Sequence, residues 1–130
     1  MIENLTPLQS WEILQSNPDA VLIDVRTKVE HGFVGRPLGA VHVPWKEVPD
    51  WALNSDFIEQ VKQAVSDISN PVLLLCRSGT RSLAAAEALQ DAGFTHLINI
   101  LDGFEGDLDE HKHRGNLGGW RFSQLPWEQS

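Results

Sequence analysis

Pro71-Val72-Leu73-Leu74-Leu75 gives the chain no polar residue to turn toward water. A strand with one wet face alternates, whereas an uninterrupted apolar run is covered on both faces, as in a parallel sheet. Ala20-Val21-Leu22-Ile23-Asp24-Val25 reads the same way, and His96-Leu97-Ile98-Asn99-Ile100-Leu101 is the last strand. Ala40-Val41-His42-Val43 is a shorter one, stopped by Pro44, which has no amide hydrogen to extend a ladder. Helical patterns lie between these runs. Thr6 is placed to cap a helix, with Pro7 at its first position and Gln9 completing a capping box. Its stripe is Leu8, Trp11 and Leu14 or Ile13, and Asn17-Pro18-Asp19 ends it. Phe57, Ile58, Val61, Ala64 and Val65 space a second helix from about Asp56 to Val65. Arg81 to Ala92 is a third, with Gly93 at its C′ position. Gly32 to Gly39 reads as a loop. Alternation of strand and helix predicts an α/β fold with a mostly parallel sheet. Residues 1–130 are read as one domain, with an irregular tail from about 104 to 130 packed on it.

A chain of 130 residues can bury a core without covalent staples, and its single cysteine excludes an internal disulfide. The N-terminus, Met1-Ile2-Glu3-Asn4, lacks the basic start and apolar run of a signal peptide. No stretch approaches the ~20 apolar residues that span a bilayer. A soluble, cytoplasmic protein is expected. The formal net charge of −8 repels nucleic acid and anionic membranes, so neither is expected as a partner. It also makes a local group of arginines informative.

Such a group comes directly after the clearest strand: Cys76-Arg77-Ser78-Gly79-Thr80-Arg81-Ser82. In open α/β folds, ligands bind beyond the carboxyl ends of the strands, which is where Cys76 stands. A thiol is a weak nucleophile until it ionises, and a helix N-terminus and nearby arginines favour the ionised form. A short loop between strand and helix must curl its amides around a common centre, which can cradle sulfur or an anion. Gly79 lets the chain turn where a side chain would obstruct it. Arg77 and Arg81 add forked cationic donors. Ser78, Thr80 and Ser82 add hydroxyls. A small buried core cysteine is the plainer reading of Cys76 alone; the arginines, glycine and hydroxyls around it argue for a reactive one.

Here the sequence resembles the rhodanese family. The likeness rests on Leu22-Ile23-Asp24-Val25-Arg26, Gly39-Ala40-Val41-His42-Val43-Pro44, Cys76 to Ser82, and Asp102-Gly103-Phe104, in matching order and spacing. The resemblance implies a five-stranded, mostly parallel sheet flanked by helices on both faces. It implies that Cys76 accepts sulfane sulfur and holds it as a persulfide. Arg77 would meet a thiosulfate-like donor at the pocket mouth, and the amides from Arg77 through Ser82 would stabilise the persulfide. Donors would be a small sulfur-containing anion or a protein persulfide. Acceptors would be cyanide, a thiol or a sulfur-carrying protein, and with no second cysteine they must be external. No metal or organic cofactor is required. One departure stands out: family members often have Gly-His-Ile-x-Gly-Ala where this chain has Gly35-Arg36-Pro37-Leu38-Gly39-Ala40, so the loop near Arg36 is expected to shape the pocket differently.

Two rival functions share the loop. A cysteine phosphatase or arsenate reductase needs a longer spacing than the four residues between Cys76 and Arg81. A non-catalytic binding or sulfur-sensing module usually lacks the cysteine. Outside the loop, Asp24 and Arg26 read as a structural pair at a strand end, since a buried Asp needs a partner. His111, Lys112, His113 and Arg114 read as a solvated basic loop, with contact to an anionic donor as the alternative. His31, His42 and His96 stand alone as structural or surface residues. Trp11 fits a helix stripe, while Trp45, Trp51, Trp120 and Trp127 read as packing anchors for loops and tail, with an apolar rim for a protein partner as the alternative for one or two that the sequence does not single out.

Overall fold

In the computed structural model, which describes all 130 residues, the apolar runs lie side by side. The chain runs β1 (Ile2–Leu5), α1 (Pro7–Ser16), β2 (Val21–Asp24), a π-helical turn (Glu30–Val34), β3 (Arg36–Pro37), β4 (Val41–His42), β5 (Lys46–Glu47), β6 (Ala52–Leu53), α2 (Phe57–Ala64), β7 (Val72–Leu75), α3 (Thr80–Asp91), β8 (Leu97–Ile100) and β9 (Trp127–Glu128). Five strands form one sheet in the order β1-β8-β7-β2-β4, and every neighbouring pair is parallel. Two short antiparallel ribbons, β3 with β9 and β5 with β6, lie outside it.

Successive side chains of a strand point to opposite faces, and the two cores follow that parity. Ile23, Val25, Val72, Leu74, Cys76 and Leu97 pack against Phe57 and Val61 of α2 and Ala85, Ala86 and Leu89 of α3. Leu22, Leu73, Leu75, Ile98 and Ile100 pack on the other face against Trp11, Ile13 and Leu14 of α1 and against Phe104, Trp120 and Leu125. Trp11 meets Trp120 edge-on at 5.8 Å, which joins the first helix to the last segment of chain.

The capping box forms: the Gln9 amide donates to Thr6 Oγ1 at 3.2 Å and the Thr6 amide to Gln9 Oε1 at 3.0 Å. Gly93 adopts φ +102 just past α3. Three readings need correction. Leu8 is exposed, so the stripe of α1 rests on Trp11, Ile13 and Leu14. The residue pattern accounts for four of the five strands; the fifth, β1, is an edge strand whose central Glu3 and Asn4 are polar and exposed, so it lacks a continuous apolar run. The supposed loop from Gly32 to Gly39 contains most of the π-helical turn and all of β3. No helix is long and apolar enough to cross a membrane.

Candidate active site

Cys76 comes just after the last residue of β7, and its side chain lies on the α3 side of the sheet. It is almost fully buried. Arg77, Ser78 and Gly79 then reverse the chain into α3. Gly79 takes φ +113, a conformation glycine reaches without strain, and so aims its N–H at Sγ, 3.0 Å away. The loop is fastened from behind by the turn after β8. The Phe104 amide donates to the Cys76 carbonyl at 2.8 Å, and the Glu105 and Gly106 amides to the Arg77 carbonyl at 3.0 and 3.2 Å. Gly103 sits so close that a Cβ would collide with the backbone of Cys76 and Arg77. The Asp102-Gly103-Phe104 segment is thus the clamp that holds the cysteine loop.

A polar chain lies beneath the sulfur. Ser82 Oγ is 3.3 Å from Sγ and 2.5 Å from Asn99 Oδ1. The Asn99 amide nitrogen donates to Asn4 Oδ1 at 3.0 Å and to the Gly79 carbonyl at 3.3 Å, which fixes the orientation of its oxygen. Ser82 Oγ also lies 3.2 Å from the Gly79 carbonyl, so its one proton has Asn99 Oδ1, that carbonyl and Sγ within reach. Sequence reasoning missed Asn99 because it is a polar residue inside an apolar strand. Its parity with Leu97 placed it on the α3 face, which was the available signal.

The two loop arginines differ. Arg81 donates Nη1 to Glu30 Oε1 and Nη2 to Glu30 Oε2, both at 2.8 Å. Burial pushes the Glu30 carboxyl up, but the hydrogen bonds and charge of Arg81 outweigh it and hold the group below the usual carboxylate range. The same bonds raise Arg81 above its ordinary value against the pull of burial. The other side of the guanidinium faces the Trp51 ring at 5.1 Å. Arg77 is exposed and forms no ion pair. Its charge is the uncompensated one beside the thiol.

Around Asp24 lies a second cluster, whose Asp24–Arg26 pair is fully buried. Arg26 donates to both oxygens of Asp24 at 2.9 and 2.8 Å and to the Gly35 carbonyl at 2.6 Å. Its remaining nitrogen, Nη1, has no hydrogen-bond partner, and the guanidinium lies over the face of Phe104 at 4.5 Å. His31 Nδ1 meets Asp24 Oδ2 at 2.7 Å, and its ring stacks on His42 at 4.4 Å. Burial pushes the Asp24 carboxyl up, yet the bonds from His31 and Arg26 hold it at about 2. Asp24 and Arg26 are the structural pair that the sequence suggested. His31 and His42 do not stand alone, because each fastens the strand-end cluster.

Trp51, Cys76, Arg77, Ser78, Thr80 and Arg81 line a cavity of about 300 Å³ over the sulfur. The sequence-derived set Cys76, Arg77, Ser78, Gly79, Thr80, Arg81 and Ser82 therefore lies together, with Gly79 and Ser82 beneath the sulfur and the others in the wall. Glu30 and Trp51 are additions. A larger concavity between α1 and the β4 edge has no titratable side chain and shares no lining residue with this one. His111, Lys112 and His113 are exposed and outside the wall. Arg36 turns away too: it pairs with Glu128 and with the Ser130 hydroxyl, tying β3 to the chain end instead of shaping the pocket.

A rhodanese-like domain matches residues 7–109. The crystal structure of Rv0390 from M. tuberculosis is similar at a TM-score of 0.87 and 46% identity, over 98% of each chain. A thiosulfate sulfurtransferase, GlpE, of Glaesserella parasuis is 33% identical over 95% of this chain and 91% of its own. An uncharacterized protein of Rickettsia conorii is 35% identical over 98% of each chain. With a cysteine loop closing a strand of an all-parallel five-stranded sheet, this chain belongs to the rhodanese family.

Proposed function

We propose that the chain is a sulfurtransferase that carries sulfane sulfur as a persulfide on Cys76. The observation that carries this reading is the placement of Sγ: it receives the Gly79 N–H at 3.0 Å, at the start of α3, and opens on a cavity whose free charge is that of Arg77. The positive end of the helix favours negative charge on sulfur.

The thiolate attacks the outer sulfur of a thiosulfate-like donor. A bond forms between Sγ and that sulfur, the donor's own S–S bond breaks, and its electron pair leaves with sulfite. The terminal sulfur of the persulfide keeps a negative charge, so donors that face the thiolate also face the product. The Gly79 N–H holds the inner sulfur, and the amides of Ser78, Thr80 and Ser82 are those available to the outer one. In the second half-reaction an external nucleophile takes the outer sulfur: cyanide leaves as thiocyanate, and a thiol leaves as a persulfide. Cys76 returns as the thiolate. A small-molecule thiol or a sulfur-carrying protein serves equally in this chemistry.

Intact-protein mass spectrometry tests the cycle. Incubation with thiosulfate or an organic thiosulfonate is expected to add one sulfur atom, which cyanide removes. Cys76→Ser is expected to gain nothing and to keep its circular-dichroism spectrum. A wild-type protein that gains no sulfur from either donor overturns the proposal.

A further inference from the structure

The cavity over Cys76 has one large apolar side chain in its wall. Trp51 is 43% exposed, and the ribbon that carries it is anchored. The residue lies in the turn between β5 and β6, at φ +58, a conformation that bulky residues rarely adopt. The ribbon is pinned to the core at its base. Trp45 packs edge-on against Phe57 at 5.1 Å, its amide donates to the Val25 carbonyl at 2.9 Å, and Glu47 accepts from the Lys28 amide at 2.9 Å. The Arg81 guanidinium lies over one face of the indole, 5.1 Å from the ring centroid.

The charges point the same way. Glu30 compensates Arg81 with two 2.8 Å bonds, which leaves Arg77 as the single free cation in the wall. The reacting thiolate already carries one negative charge, and the chain carries −8. A donor with one charge is easier to accommodate here than a dianion. The cavity, about 300 Å³, also leaves room beside a sulfane sulfur for a further apolar group.

We infer that Trp51 is a specificity-determining residue that selects organic sulfur donors, monoanionic thiosulfonates bearing a planar apolar group, by stacking that group on its indole. This rests on the sulfurtransferase reading above. The step is the same displacement: Sγ bonds to the outer sulfur of R–SO₂–S⁻, the sulfur–sulfonyl bond breaks, and its electron pair leaves with the sulfinate R–SO₂⁻. Two negative charges enter and two leave, on the sulfinate and the persulfide.

The test compares sulfur loading from benzenethiosulfonate and methanethiosulfonate, which carry equal charge and differ in the ring. In Trp51→Ala the ratio of the two kcat/KM values, benzene over methane, is expected to fall ~10-fold from its wild-type value, the size of a lost aromatic contact. Trp51→Phe is expected to keep the ratio within ~3-fold of wild type, because a smaller ring still stacks. A partly unfolded variant lowers both rates alike, so the ratio survives a loss of folded protein. A ratio that Trp51→Ala leaves unchanged, while both donors load, overturns the role of Trp51 and leaves the sulfurtransferase reading standing. Failure of the wild type to load from either donor overturns both.

Discussion

Two neighbouring loops leave the same edge of the sheet and do opposite work. Asp24 of β2 pairs in register with Leu75 of β7, so Arg26 and Arg77 occupy matching positions two residues farther on. Arg26 is 0% exposed and spends its bonds on Asp24 and the Gly35 carbonyl. Arg77 is exposed, with its backbone carbonyl clamped and its side chain free of any ion pair. A charge enclosed and paired by its neighbours can only hold the frame. A charge left open beside a thiol can still bind something. The difference lies in where each strand leads. β2 runs into a segment roofed by Phe104 and the His31–His42 stack, whereas β7 runs straight into α3.

The largest expected effect is therefore on stability and lies in the β2 loop. Arg26→Met leaves Asp24 buried with His31 as its remaining side-chain partner and strips the Gly35 carbonyl of its donor. Removing one member of a buried pair typically costs ~3–5 kcal/mol. Urea unfolding tracked by tryptophan fluorescence measures it. A midpoint equal to wild type would show that the two loops are not divided as argued.

Acid sharpens the same contrast. Folding holds Asp24 at about 2 against an ordinary 3.8. A lowered carboxylate contributes stability that is complete above the unfolded value and is lost as pH falls through the folded one. Stability is expected to decline between about pH 4 and pH 2, with ~2 kcal/mol of the loss owed to this group. Glu30, also lowered, adds to the loss in the same direction. Asp24→Asn should flatten the profile across that window; a profile as steep as wild type would assign the acid sensitivity to other carboxylates.

The open loop was legible in the sequence and the enclosed one only partly. Cys76 to Ser82 is contiguous, so strand, turn and helix start fix its geometry together. Asp24 and Arg26 are two residues apart, and burial of the strand demanded a partner for the aspartate. The contacts that complete the site come from far along the chain: Glu30 is 51 residues before Arg81, and Asn99 is 17 after Ser82. Nothing in local spacing marks such partners. Trp51 was one of four tryptophans read as anchors, and the pinning of β5 and β6 set it in the wall. The edge strand β1 was hidden because half-exposed residues carry no apolar run.

The smallest effect belongs to Arg77, and it should fall on chemistry alone. Arg77→Ala truncates an exposed side chain that forms no ion pair, so the unfolding free energy is expected to change by less than ~0.5 kcal/mol. The pocket loses its one uncompensated cation and with it an attraction for an anionic donor. An attraction of ~1 kcal/mol corresponds to a ~5-fold rise in donor KM with kcat little changed. Ionic strength separates this from a packing defect. In the wild type, KM should climb as salt screens the charge, whereas in Arg77→Ala it should respond weakly, because the charge being screened is gone. Arg77→Lys, which keeps the charge and loses the fork, should recover much of the affinity and all of the salt dependence. Equal salt responses in wild type and Arg77→Ala would mean that the donor does not meet this residue, and the division between the two arginines would then rest on burial alone.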